Sequence, residues 1–176
     1  MTVATRRQFD LDRTFSYANM LKWQQLHQVV LSTITNIIRQ YLKGSIGQAF
    51  VAPFDVRLTT NGGNSDQQIT TVVQPDIFVV CDRSKLDDRG CLGAPDWIVE
   101  IVSPGNTSRD TKTKFDLYEE SGVSEYWIVY PGLKSVAIYV LDNGQYRLSA
   151  EYAEPGPVPV ATLPGLALEW EEIFAE

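Results

Sequence analysis

The chain has 176 residues, 44% of them apolar and 21% charged, the balance of one soluble domain large enough to bury a sizeable core. These proportions exclude a disordered chain, and no apolar run approaches the roughly 20 residues that cross a bilayer. A net charge of −7 with a pI near 4.7 argues against a protein that coats nucleic acid with a broad basic surface, yet it suits a pocket of carboxylates holding divalent cations.

Residues 1–15 read as a loose, flexible arm and 16–176 as a single domain, with no repeat, low-complexity tract or dividing linker. The opening MTVATRRQFDLDR has an arginine pair but no apolar stretch behind it, so no secretory signal is expected and a cytoplasmic location is the default. From about Tyr17 to Leu42 the spacing of Trp23, Leu26, Val30, Ile34, Ile37, Ile38 and Tyr41 predicts a helix, which Lys43-Gly44 ends. Short strands follow at Gln48–Val51 and Asp55–Thr59, and Asn61-Gly62-Gly63-Asn64-Ser65 marks a turn. Ile69–Val73 and Ile77–Val80 are β-branched runs parted by Gln74-Pro75-Asp76, and Asp96–Val102 reads as a buried strand. Cys81 and Cys91 flank a charged segment and read as two reduced, structural thiols.

Thr107–Ser121 predicts a second helix, opened by Thr107 with Asp110 three residues on and closed by Gly122. Strands follow at Glu125–Val129 and Ser135–Leu141, and Asn143-Gly144 makes a two-residue hairpin into Gln145–Ser149. The apolar stretch Leu163–Trp170 is expected to pack back onto the body. This order of helix, strands, helix and strands predicts an α/β or α+β sheet with a helix on each side.

Glu100 carries the most information. It sits in Trp97-Ile98-Val99-Glu100-Ile101-Val102, where strand alternation puts Ile98, Glu100 and Val102 on one face. A carboxylate in an apolar run is costly to bury unless a cation or hydrogen bonds compensate it. Simple exposure at a strand end is the bland account, and the two apolar neighbours on its face favour a functional one. Asp76 alone reads as a turn residue after Pro75; it gains weight because a second carboxylate on the next strong strand can converge with it on one Mg²⁺. Asp110, Lys114 and Tyr118 lie four apart and form one helical stripe. Spacing leaves two accounts open there: a surface pair over a packed tyrosine, or a lysine aimed at the metal site. His27, the only histidine, falls on the apolar stripe of the first helix, where a packed, hydrogen-bonded histidine is the commoner outcome. No covalent nucleophile arrangement and no phosphate-cradling glycine loop is visible.

Pro75-Asp76, then Val99-Glu100-Ile101-Val102-Ser103-Pro104, then Asp110, Lys114, Tyr118 and Gly122-Val123-x-Glu125-Tyr126-Trp127 together resemble the Uma2 family. These are bacterial proteins long catalogued as a domain of unknown function, with a restriction-endonuclease-like fold in the PD-(D/E)XK nuclease superfamily. The resemblance covers about residues 15 to 170, and 99–131 is its most specific part. It implies a central mixed sheet flanked by helices. It also implies Asp76 and Glu100 as ligands of Mg²⁺ or Mn²⁺, with the carbonyl of Ile101 as a further ligand and His27 as an accessory residue. The superfamily's lysine would fall at Val102, and Lys114 is the residue that stands in for it. Most members carry a Glu-Leu-x-Asp-Gly hairpin before the histidine, which this chain lacks.

The expected activity is therefore metal-dependent hydrolysis of DNA phosphodiester bonds by Asp76, Glu100 and Lys114, with His27, Asp110 and Tyr118 accessory. The alternative is a catalytically inactive nuclease fold that binds a protein or nucleic-acid partner, favoured by Val102, the absent hairpin and the acidic charge. A third is a structural domain in which Asp110 and Lys114 form a surface pair. No membrane partner is expected. The aromatic-rich region with Tyr126, Trp127, Tyr130, Tyr139, Tyr146 and Tyr152 suggests an exposed apolar patch, for which a homodimer is one use.

Overall fold

The computed structural model describes residues 17–59, 65–103 and 108–175. The expected arm at 1–15, the turn at 61–64 and the capping Thr107 lie outside them. Helix α1, Tyr17–Tyr41, buries Val30, Ile34 and Ile38, one residue per turn, and Leu42 just past its end continues the apolar stripe. Gly44 then takes φ 85°, the left-handed stop that glycine adopts without a Cβ clash.

Among the described residues twelve strands follow, and eight of them match sequence-predicted runs within a few residues. They are β1 (Gln48–Val51), β2 (Val56–Thr59), β3 (Ile69–Val73), β4 (Ile77–Val80), β7 (Trp97–Ile101), β8 (Glu125–Tyr130), β9 (Ser135–Asp142) and β10 (Gln145–Tyr152). The other four, β5 (Leu86–Asp87), β6 (Gly90–Leu92), β11 (Pro157–Pro159) and β12 (Ala167–Glu169), have two or three residues each. That is too short for alternation to show. Helix α2 spans Ser108–Ser121 and a last turn, α3, spans Trp170–Ile173.

The main sheet has the order β1-β4-β7-β8-β9-β10 and is antiparallel except for the central pair β7–β8, which α2 connects. A smaller sheet, β3-β2-β6-β5, and the pair β11-β12 complete it. Alternation divides the main sheet into two packed faces. Ile77, Val79, Trp97, Val99, Ile101, Trp127 and Val129 meet the α1 stripe and the tail residues Leu163, Leu166 and Leu168. Phe78, Val80, Ile98, Tyr126 and Ile128 meet Tyr118 of α2 and Val56, Leu58 and Cys91 of the smaller sheet. A helix thus covers each face and the tail returns to the body, as the sequence pattern predicts. Each fully buried aliphatic side chain contributes about 1.5–3 kcal/mol. Trp97 and Trp127 add an edge-on contact at 4.8 Å.

The aromatic-rich region is not the exposed patch expected of it. Tyr126 and Trp127 are buried, and Phe115 of α2 sets its ring edge-on to Tyr139 at 4.9 Å and to Tyr146 at 5.1 Å. The helix covers Tyr126, Tyr139 and Tyr146, while Trp127 and Tyr152 pack into the α1 side of the core. Cys81 and Cys91 are free thiols, and burial pushes Cys91 up to about 11. Among the described residues no helix is long and apolar enough to cross a membrane.

Candidate active site

The register of β4 against β7 pairs Ile77 with Val99 and Phe78 with Ile98. Continued by one residue, it sets Asp76 across from Glu100, on the face that α2 covers. Asp76 is pinned at both ends. Its carbonyl accepts from the amide of Ala52 at 3.2 Å, and its Oδ2 accepts from the amide of Ile101 at 2.7 Å. Pro75 before it has no N–H to extend the ladder, which leaves Asp76 at a strand end instead of inside one.

Glu100 is only 6% exposed. Two residues of α2, one helical turn apart, satisfy it: Lys114 Nζ donates to Oε2 at 2.9 Å and the Tyr118 hydroxyl donates to Oε1 at 2.7 Å. Within the Asp110–Lys114–Tyr118 stripe, Lys114 and Tyr118 both turn inward to Glu100. Burial raises the proton affinity of Glu100; the ammonium of Lys114 opposes that, and the charge of Asp76 adds to it. For Lys114, burial favours the neutral amine, but the charge and hydrogen bond of Glu100, with Asp76 and Asp110, outweigh it and hold the ammonium. Tyr118 is pushed far up, first by burial and then by Glu100, so it stays a hydroxyl donor.

His27 reaches Asp76 from α1, with Nε2 3.4 Å from Oδ1. It is half-buried, and its pKa is raised chiefly by that hydrogen bond; burial opposes the rise and Glu100 adds to it. His27 is thus a hydrogen-bonded histidine whose partner is the carboxylate of Asp76. Asp110 is exposed in the first turn of α2 and acts on Lys114 through its charge. The side chain of Ile101 packs into the opposite face of the sheet, while its amide serves Asp76. That amide role was invisible in the sequence, because it depends on register and not on residue type.

The donor set suits a hard divalent cation. Two carboxylates share one face, with one ammonium to balance them. Each oxygen of Glu100 accepts one described hydrogen bond and keeps a second lone-pair site. Among the described residues no three His, Cys, Asp or Glu side chains gather into a closed metal site. A cation here would rest on two carboxylates and complete its shell with water, as Mg²⁺ commonly does.

Comparison with known proteins gives three findings. No curated protein matches the chain. A solved structure described as a putative nuclease belonging to DUF820, from Anabaena variabilis, is 21% identical with a TM-score of 0.65, covering 85% of this chain and 80% of that one. At that identity the likeness speaks for the fold, which the two chains share. The sequence model of the Uma2 family, described as "Putative restriction endonuclease", matches residues 19–171, and the chain belongs to that family.

Proposed function

We propose that this chain is a metal-dependent nuclease that hydrolyses DNA phosphodiester bonds at Asp76, Glu100 and Lys114. The observation that carries this reading is Glu100, a buried carboxylate held by an ammonium and a hydroxyl beside a second carboxylate. Such an arrangement costs stability and is retained where ionised groups do chemistry. The family description and the nuclease named in the solved relative point the same way.

Asp76 and Glu100, with the Ile101 carbonyl, would hold Mg²⁺ or Mn²⁺, which when bound polarises a phosphate and lowers the pKa of water. Tyr118 fixes one oxygen of Glu100, and His27 and the Ile101 amide hold the two oxygens of Asp76. Lys114 holds its proton, so it serves as a fixed positive charge beside the attacked phosphate and orients the water instead of deprotonating it.

Titrating Mn²⁺ into the protein and into Glu100→Gln by calorimetry tests the site. The variant should lose more than the roughly 10–100-fold in metal affinity that removing a supporting residue costs, and DNA cleavage should vanish with it. Equal binding and cutting by the two proteins overturns the assignment. Metal binding without cleavage of any DNA form selects the second reading, a nuclease fold kept for binding. Val102 at the superfamily's lysine position favours that reading.

A further inference from the structure

Asp76 turns one carboxylate oxygen back to the protein. Its Oδ2 accepts from the amide of Ile101 at 2.7 Å, which ties that end of the group to the backbone of β7. Oδ1 is the oxygen presented to a cation, and it lies 3.4 Å from Nε2 of His27. Glu100 is near enough for its charge to act on the same imidazole. An ion that takes Oδ1 therefore comes to rest beside a ring nitrogen.

The fold holds that nitrogen there. His27 stands one turn before Val30, the first fully buried residue of the α1 stripe, so the packing of Val30, Ile34 and Ile38 on the sheet fixes where the imidazole comes. Helix α1 covers the face opposite the one that α2 covers, yet His27 reaches Asp76 at the strand end. Its side chain is 25% exposed, so it has room to turn and is not there to fill the core.

The distance bears on its role. An N–H···O bond usually spans about 2.7–3.2 Å, so 3.4 Å is slack for a group whose one task is to support Asp76. Two donors at right angles on one cation, each about 2.1 Å from it, lie roughly 3 Å apart. His27 and Asp76 already stand close to that spacing. Among the described residues no three His, Cys, Asp or Glu side chains yet close on one point, so this is an open set that an ion would complete.

We propose that His27 is a ligand of the divalent cation through Nε2, and that this nitrogen tilts the site from Mg²⁺ toward first-row transition cations. Mg²⁺ takes oxygen ligands and gains little from an imidazole, whereas Mn²⁺, Co²⁺ and Ni²⁺ gain in rising order. The proposal rests on the metal site of the nuclease reading and names the cations that this site selects.

His27 is the only histidine of the chain, so in tag-free protein an imidazole nitrogen on a bound ion has one source. Pulsed EPR of the Mn²⁺-loaded protein should show an imidazole nitrogen coupled to the metal. His27→Gln keeps a donor for Asp76 and a good helix former at this position, but it has no ring nitrogen and should lose the coupling. By calorimetry the same variant should bind Ni²⁺ at least roughly 10-fold more weakly and Mg²⁺ no more than about 3-fold more weakly. The parent spectrum decides by itself, whatever the variant does: Mn²⁺ bound without nitrogen coupling overturns the proposal and makes His27 a support of Asp76. Equal losses of Ni²⁺ and Mg²⁺ in the variant overturn the selectivity. Either result leaves the nuclease site standing if Glu100→Gln still abolishes binding. No binding of any of the three ions overturns the metal site and the proposal together. A nitrogen coupling in a protein that cuts no DNA upholds the ligand and removes the nuclease.

Discussion

Glu125 opens β8 and Glu100 lies near the end of β7, one strand away, and the two buried carboxylates face opposite sides of the sheet. Glu125 is fully enclosed at 0% exposure, and its partners among the described residues are N–H groups: the Trp127 indole at 2.8 Å and the amides of Ala161 at 3.1 Å and Thr162 at 2.6 Å. It clips the C-terminal tail onto the α1 side of the core. Glu100 accepts from an ammonium and a hydroxyl and has Asp76 for a neighbour. Burial alone therefore does not mark a functional carboxylate in this chain. What separates the two is the partner: rigid neutral donors make a clip, while ionisable ones at a strand end make a site whose charge is left over for something else.

Glu125→Ala should break the clip with the largest effect. It leaves three N–H donors without their acceptor, each worth about 1–3 kcal/mol when buried. Water reaches Ala161 and Thr162 in part, so a net loss of about 2–4 kcal/mol is expected in urea denaturation. Mn²⁺ affinity at the other site should not change. A loss below about 1 kcal/mol would show that the tail is held by Leu163, Leu166 and Leu168 alone.

Glu100→Gln should behave in the opposite way. The amide oxygen still accepts from Lys114 and the amide nitrogen donates to the Tyr118 oxygen, while the cost of burying a charge disappears. The Lys114 side chain is 31% exposed and can turn its ammonium to water. Stability should stay within about 1 kcal/mol of the parent or rise, as at sites where function opposes stability. A loss as large as that of Glu125→Ala would put Glu100 among the clips and end the comparison.

The legibility of the two glutamates differs for the same physical reason. Glu100 stands out because β7 is one apolar run, and helical spacing alone puts Lys114 and Tyr118 on one face. Their aim at Glu100 was not readable, since spacing also fits a surface pair. The approach of Asp76 to Glu100 needs the β4–β7 register, which no local pattern encodes. Glu125 enters the sequence reading only as the start of a strand and a member of the family motif, with no role of its own: the amides it accepts from lie 36 and 37 residues on, in a tail whose strands are three residues long. Main elements declare themselves through periodicity, whereas a side chain satisfied by distant backbone leaves no mark in residue type.

The smallest effect belongs to His27, and it tests whether the charge on the Glu100 side is exchangeable. Its pKa is raised above 6.5, mainly by the hydrogen bond to Asp76. The folded protein therefore binds this proton more tightly than the unfolded chain does. The resulting stability is fully present below the ordinary histidine pKa and is lost as pH rises through the raised folded value. The side chains of His27 and Asp76 are 25% and 22% exposed, so the contribution is that of a weak pair, under about 1 kcal/mol. In metal-free buffer, the stability lost in His27→Gln should be greater at pH 5.5 than at pH 9. Glu100 also holds protons more readily when folded, so the parent's own pH curve mixes the two, and only the difference between parent and variant isolates the histidine. A difference that does not change with pH would mean that His27 packs beside Asp76 without sharing its charge.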